Sequence, residues 1–268
     1  MDMKSAFGMH SPPFTREIKP EQMYFSPTTQ DAIEGTVRAV ERGMCAAVIG
    51  GAGTGKTTVG RGVVARLPEA RYRTRYVMLA CLGKRDICRE IARACGVEPA
   101  GTFPGLVHRL QEKFERSLDE NGQRPVIILD DAHELRPDVL SILRVLTNFQ
   151  MDSRLVVSIV LIGQAPLASL LAQDAHEDVA RRIANYATLR TLSRDETQAY
   201  IAHRSTLAGA RQLPFDATSI EAIFEMSRGN LRAIDALALE SLDLAARAKL
   251  QVVSAQHVTA ARRTLWPS

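Results

Sequence analysis

The sequence predicts an α/β protein, a parallel, doubly wound sheet flanked by helices, followed by a domain built of helices alone. Three observations predict it. A short apolar run, Ala46 to Ile49, leads into the glycine-rich stretch from Gly50 to Thr57 and then into a helical pattern. Two further apolar runs, Val126 to Leu129 and Leu155 to Ile162, alternate with helix-period segments, as strands buried on both faces do. After Leu192 only helical periodicity remains.

The glycine-rich stretch organises the rest. Gly50-Gly51-Ala52-Gly53-Thr54-Gly55-Lys56-Thr57 matches G-x-x-x-x-G-K-[ST], with a strand before it and a helix after it. Such glycines let the backbone wrap a phosphate chain so that successive N–H groups point at its oxygens. Lys56 reaches toward the β- and γ-phosphates, the Thr57 hydroxyl offers a Mg²⁺ ligand, and Thr58 completes the phosphate-facing set. The helix that follows turns its positive N-terminal end on the same anion. A turn that binds nothing is the alternative, but with Gly at about 7% of residues the fixed positions match by chance at only about one site in tens of thousands.

With 268 residues, 46% hydrophobic and 24% charged, the chain has the composition of a globular protein of one or two domains. No apolar run reaches the ~18 residues of a membrane span, and MDMKSAFGMHSPPF lacks a signal-peptide apolar region, so a cytoplasmic protein without a membrane segment is expected. Cys45, Cys81, Cys88 and Cys95 form no C-x-x-C pair and read as packed thiols. A net charge of +4 permits an acidic partner without requiring one.

In chain order, residues 1–26 are irregular because Pro12, Pro13 and Pro20 interrupt any helix, while Phe7, Phe14, Tyr24 and Phe25 suggest that they pack on the core of the ATPase-type domain. That domain is expected over residues 27–192. A helix from Pro27 to about Arg42 precedes the first strand, and Arg71 to Ala80 reads as a second strand, polar at its start and buried at its end. Helices are expected over residues 84–95, 102–118 and 137–149. The helical domain spans residues 193–268 and opens on the capping box Ser193–Glu196.

The strand Val126–Leu129 ends in Asp130-Asp131, at the edge where open α/β sheets bind ligands. Asp130 is the expected Mg²⁺ carboxylate opposite Thr57, since a charge there without a cation is expensive. Asp131 is the first choice for the base that polarises the attacking water, with Glu134 as alternative and His133 beside it; as plain structure, Asp131 would cap the next helix and His133 would be a surface residue on a turn. Gln164, after the next strand, is placed to bond the γ-phosphate or the water, or is simply a polar turn residue. Arg181 and Arg182 sit near the end of the last helix before the helical domain; Arg182 is favoured as an arginine finger for a neighbouring subunit, although arginine at a helix C-terminus is favourable for the dipole alone. Arg232, in Gly229-Asn230-Leu231-Arg232, is expected to meet the γ-phosphate from the helical domain. Arg71, Arg73, Arg75, Lys84, Arg85 and Arg89 are either a solvated face or a contact for DNA phosphates.

Together GGAGTGKTT, VIILDDAH, the polar residue after the next strand, the arginines and GNLR resemble an AAA+ ATPase. Phe7-Gly8-Met9 with Pro13-Phe14, LIGQAPL at Leu161–Leu167 and LTNFQMDS at Leu146–Ser153 narrow the resemblance to the ExeA-like branch, across nearly the whole chain. That resemblance implies ATP and Mg²⁺ as ligands, a homo-oligomer, ring or filament, formed with ATP, and one of two settings. One is a transposition helper similar to TnsC, IstB and Mu B, which binds double-stranded DNA and directs a transposase. The other is a secretion-assembly ATPase with a membrane segment and an envelope-binding region after the ATPase module. The sequence ends at Ser268 with neither, which directs the expectation to the transposition helper. DDAH stands where that family usually has DEAH, which implies slow hydrolysis. A monomeric small-molecule kinase would need an acceptor site, and no residue pattern supplies one.

Overall fold

The computed structural model describes residues 3–79 and 83–266, which divide into two compact units; Cys81 lies outside the described residues. Pro27–Gly51 and Lys56–Leu189 make an α/β unit. Its strands are β1 Cys45–Gly50, β2 Tyr72–Met78, β3 Arg124–Asp130, β4 Ser158–Gly163 and β5 Ile183–Leu189, all parallel, in the order β2-β3-β4-β1-β5. The helices are α2 Pro27–Glu41, α3 Lys56–Arg66, α4 Lys84–Cys95, α5 Phe103–Asp119, α6 Pro137–Thr147, α7 Ala165–Leu171 and α8 Glu177–Ala180, α1 (Met3–Phe7) being part of the other unit.

Burial explains the order. Every residue of β1 and β4 is buried, as is β3 from Pro125 onward, so these are the central strands. Alternate side chains point to opposite faces. Ala47, Ile49, Ile127, Leu129, Ile159 and Leu161 join one core with Ile87 and Ile91 of α4, Leu110 and Phe114 of α5 and Leu140 of α6. On the other face Ile162 approaches Gly60 of α3, where a Cβ would lie 3.1 Å from its Cδ1. Each aliphatic side chain buried this way contributes about 1.5–3 kcal/mol before entropy is subtracted.

Two strand expectations are refined. At the end of β2, an edge strand, Val77 and Leu79 are buried in the core as expected, while Met78 between them is 64% exposed. The run expected from Leu155 enters the sheet only at Ser158. β5, the other edge, was not anticipated: Asn185, Tyr186 and Thr188 face outward or lie half-buried, so its apolar signal is diluted.

Met1–Ser26, Ala52–Gly55 and Arg190–Ser268 make the helical unit, with α9 Arg194–Leu207, α10 Ala217–Ser227, α11 Leu231–Arg247 and α12 Ala255–Leu265. The capping box is present, Ser193 Oγ accepting from Glu196 N while Glu196 accepts from Ser193 N. The amino-terminal segment packs within this unit. Met9 and Phe14 share a core with Tyr200, Ile223, Leu237 and Val258. Arg204, its side chain 5% exposed, lies over the rings of Phe14 and Tyr200 and donates to Thr15 O and Tyr200 Oη. Among the described residues no helix is long and apolar enough to cross a membrane.

Candidate functional site

β1 ends at Gly50 and α3 starts at Lys56, so the intervening turn is aimed by the strand and closed by the helix. Lys56 Nζ donates to Gly50 O and Gly51 O, both at 2.8 Å. Gly53 and Gly55 have φ of +74° and +94°, and a Cβ on Gly53 would fall 2.2 Å from Asn230 Oδ1. Thr54 is buried, whereas Thr57 is exposed and Thr58 half-buried in the first turn of α3. The Ala52–Gly55 segment groups with the helical unit. There Leu231 N donates to Gly53 O at 2.9 Å and Asn230 Nδ2 to Ala52 O at 2.7 Å. Asn230 Oδ1 also caps α11 by accepting from Arg232 N and Ala233 N, which leaves the Arg232 side chain exposed in the first helical turn.

The ends of β3 and β4 carry the second group. With β4 between β1 and β3, the ends of those two strands lie about 10 Å apart. Asp130, 9% exposed, accepts from Asp131 N through Oδ1 and from the Tyr76 hydroxyl through Oδ2, each at 2.9 Å. Tyr76 exposes its ring on the edge strand, yet its hydroxyl turns in; burial there, and then the bond to Asp130, hold the phenol above its usual pKa range. Asp131 takes a left-handed conformation (φ +55°) that starts a 3-10 turn over Ala132–Glu134, without capping it by its side chain. His133, 12% exposed, sets its Nε2 2.8 Å from Gln164 Nε2, with Asp131 Oδ1 3.9 Å from Nδ1 and Glu134 Oε1 3.4 Å from Nε2. Both residues proposed as base, and the glutamine, therefore meet at one imidazole. Sequence reasoning missed Tyr76 altogether and had no contact for His133.

Arg182 lies at the other end of the sheet. α8 stops at Ala180, Arg181 and Arg182 follow it, and Ile183 opens β5. Arg182 O accepts from Cys45 N at the start of β1, about 17 Å along that strand from Gly50. Its guanidinium makes a two-toothed pair with Asp152, NH2 to Oδ2 at 2.7 Å, beside a cavity of about 420 Å³ lined by Arg144, Asp178, Arg181 and Cys45. Arg181 is exposed and pairs with Glu177. Burial pushes the Cys45 thiol up to about 11, so it is an inert packed group.

Residues 39–171 match the family model of the AAA domain. General secretion pathway protein A of Aeromonas hydrophila is 31% identical over 233 residues, covering 85% of this chain and 42% of that protein. The chain thus spans less than half the length of that relative. Among solved structures, the ORC1 protein of Aeropyrum pernix in complex with DNA superposes with a TM-score of 0.71 at 18% identity, over 94% of this chain and 68% of that one. The ORC2 protein of the same organism, in ADPNP-ADP complexes, superposes with a TM-score of 0.68 at 17% identity, over 92% of this chain and 70% of that one. The fold is that of the AAA+ P-loop ATPases. The likeness to a secretion protein A agrees with the ExeA-like resemblance of the sequence.

The residues of this AAA+ fold suit a divalent cation bound with a phosphate chain. Asp130 is a buried carboxylate whose two donors are a neutral N–H and a neutral O–H, so its charge has room for a cation. Among the described residues no three His, Cys, Asp or Glu side chains gather at metal-binding distance. Mg²⁺ bound with a phosphate chain keeps several waters and takes only one or two protein carboxylates, a role that Asp130 can fill.

Proposed function

We propose that this chain is a Mg²⁺-dependent ATPase that assembles with copies of itself on duplex DNA and directs a transposase. The observation that carries the ATPase reading is the convergence, at the C-terminal ends of β1, β4 and β3, of the Lys56 turn, Gln164 with His133, and Asp130. The backbone N–H groups of Gly51 to Thr58 cradle the phosphates, and Lys56 exchanges its two carbonyl partners for β- and γ-oxygens. Thr57 and Asp130 would hold Mg²⁺, which would neutralise charge on the phosphates. Asp131 orients the attacking water and accepts its proton as the bond between the γ-phosphorus and the bridging oxygen breaks, giving ADP and phosphate. Its side chain is one methylene shorter than glutamate, so turnover is slow. Gln164 and Arg232 contact the γ-phosphate, and Arg182 of a neighbouring copy answers the charge that develops in the transition state.

The DNA reading draws on the net charge of +4 and on Arg73, Arg75 and Lys113, which lie near enough to one another to act together on the Cys95 thiol. A second reading, an assembly ATPase of a secretion system that does not bind DNA, draws on the 31% identity with a general secretion pathway protein. Duplex binding measured with ATP, ADP and no nucleotide across a salt series separates them. We expect binding that needs ATP and weakens steeply with salt. Equal, weak binding in all three states, with assembly still driven by ATP, would replace the first reading by the second.

A further inference from the structure

We infer that His133 is a positioning residue that holds Gln164 and Asp131 in register, so that the chain's discrimination between ATP and ADP runs through this imidazole. The inference rests on the ATPase reading above. Two nitrogens 2.8 Å apart, His133 Nε2 and Gln164 Nε2, require one donor and one acceptor. Either the imidazole accepts an amide N–H at Nε2 and carries its proton on Nδ1, or the amide is turned and its oxygen accepts from Nε2–H. The second arrangement leaves a lone pair on Nδ1 facing the Asp131 carboxylate at 3.9 Å, which is repulsive. The first turns Nδ1–H toward that carboxylate but leaves the Nε2 lone pair facing Glu134 Oε1 at 3.4 Å, so the two carboxylates pull in opposite directions. In both arrangements His133 bonds Gln164 on one side and faces Asp131 on the other.

A histidine that only filled space would be better replaced by an apolar side chain. Nδ1 is buried without a hydrogen-bond partner, a state that costs about 1–3 kcal/mol, and 3.9 Å to Asp131 is too long for a bond. Such a group is one short movement of Asp131 away from satisfaction. The turn that carries it is seated tightly, since a Cβ on Gly163 would come within 3.0 Å of His133 N. Movement therefore falls to the exposed Asp131 carboxylate, and it coincides with the arrival of the water and γ-phosphate that Asp131 and Gln164 are proposed to meet.

Three substitutions test this. His133→Ala removes both contacts, His133→Gln keeps an acceptor where Nε2 stood, and His133→Asn keeps a donor where Nδ1 stood. Binding of ADP and of a non-hydrolysable ATP analogue is measured by titration, turnover separately, and thermal unfolding reports folding. For H133A we expect analogue-over-ADP preference and kcat each to fall about 10-fold, with ADP affinity within twofold of the unaltered chain. H133Q should recover most of the preference and H133N more of kcat. Unaltered preference and kcat in H133A, or no recovery by either amide, would overturn the inference. If H133A does not fold, the contrast between H133Q and H133N decides. Failure of the unaltered chain to bind or hydrolyse ATP would instead sink the ATPase reading.

Discussion

The two ends of the parallel sheet in the α/β unit treat charge in opposite ways. At the C-terminal end, Asp130 takes only neutral donors, Lys56 rests on two carbonyl oxygens, and Asp131, Glu134 and Gln164 gather round one imidazole. At the N-terminal end the arginines are paired with carboxylates: Arg182 with Asp152, Arg144 with Asp178, Arg181 with Glu177. Strand direction explains the first, because N–H groups and the N-terminus of α3 converge where β1 ends. Asp130, a buried carboxylate bonded to a neutral N–H and a neutral O–H, suits a ligand that arrives with a cation. On the proposed reading, Arg182 leaves its carboxylate only when a second copy offers a stronger anion.

The largest effect would come from removing one group at each end. Lys56→Ala and Arg182→Ala should each lower ATP turnover on the order of 100-fold or more, by removing charge from the same transition state. The ends differ in how the loss is repaired. Mixed at equal amounts, the two inactive variants should regain roughly a quarter of full turnover, since an intact Lys56 meets an intact Arg182 at random in that share of subunit contacts. Turnover titrated against mixing ratio checks it. No recovery at any ratio would reduce Arg182 to a structural partner of Asp152 and break the contrast between the ends.

A smaller effect is expected at Asp152. Gln150, Met151 and Asp152 follow one another at φ of 49°, 56° and 68°, a left-handed run without glycine that costs roughly 1–2 kcal/mol per residue. The Arg182 pair helps hold Asp152 in that run, so Asp152→Asn should relax the turn and release the guanidinium together. The protein concentration giving half-maximal turnover should fall severalfold, since a neighbour's phosphate no longer competes with a carboxylate. An unchanged concentration dependence would show that the pair does not restrain Arg182.

What the sequence disclosed follows the range of each signal. Gly50–Thr57, Asp130 and Gln164 were legible because a local pattern, an apolar run followed by a polar residue, marks where a buried parallel strand ends. β5 was not, because an edge strand reading Ile183-Ala184-Asn185-Tyr186-Ala187-Thr188-Leu189 has too little apolar content to stand out. The aromatic residues of the first 25 positions announced a packed segment, but Phe14 reaches Tyr200 and Phe215, and no local pattern selects that core over the other. Tyr76 and His133 depend on which strand pairs with which. Tyr76 reaches Asp130 only because β2 lies beside β3 with Met78 opposite Asp130, and Gln164 meets His133 only because β4 does.

The smallest expected effect keeps pH from blurring the comparison of the two ends. In the helical unit, burial raises the Asp235 carboxyl to about 6, against the lowering by the Tyr200 hydrogen bond and the charges of Arg204 and Arg16. With an unfolded value near 3.9, its contribution to stability is fully present below about pH 4 and is lost as pH rises through 6, on the order of 1–2 kcal/mol after allowance for its partial exposure. Glu196 runs the other way. The Arg190 hydrogen bond holds its carboxyl below the usual range, so its contribution is present above the ordinary glutamate value and fades as pH falls. Asp235→Asn should therefore remove the decline between pH 4 and 6 and leave the rise to which Glu196 and Asp216, both held below the usual carboxylate range, contribute, as thermal unfolding across that window would register. If the decline persists in D235N, another group causes it.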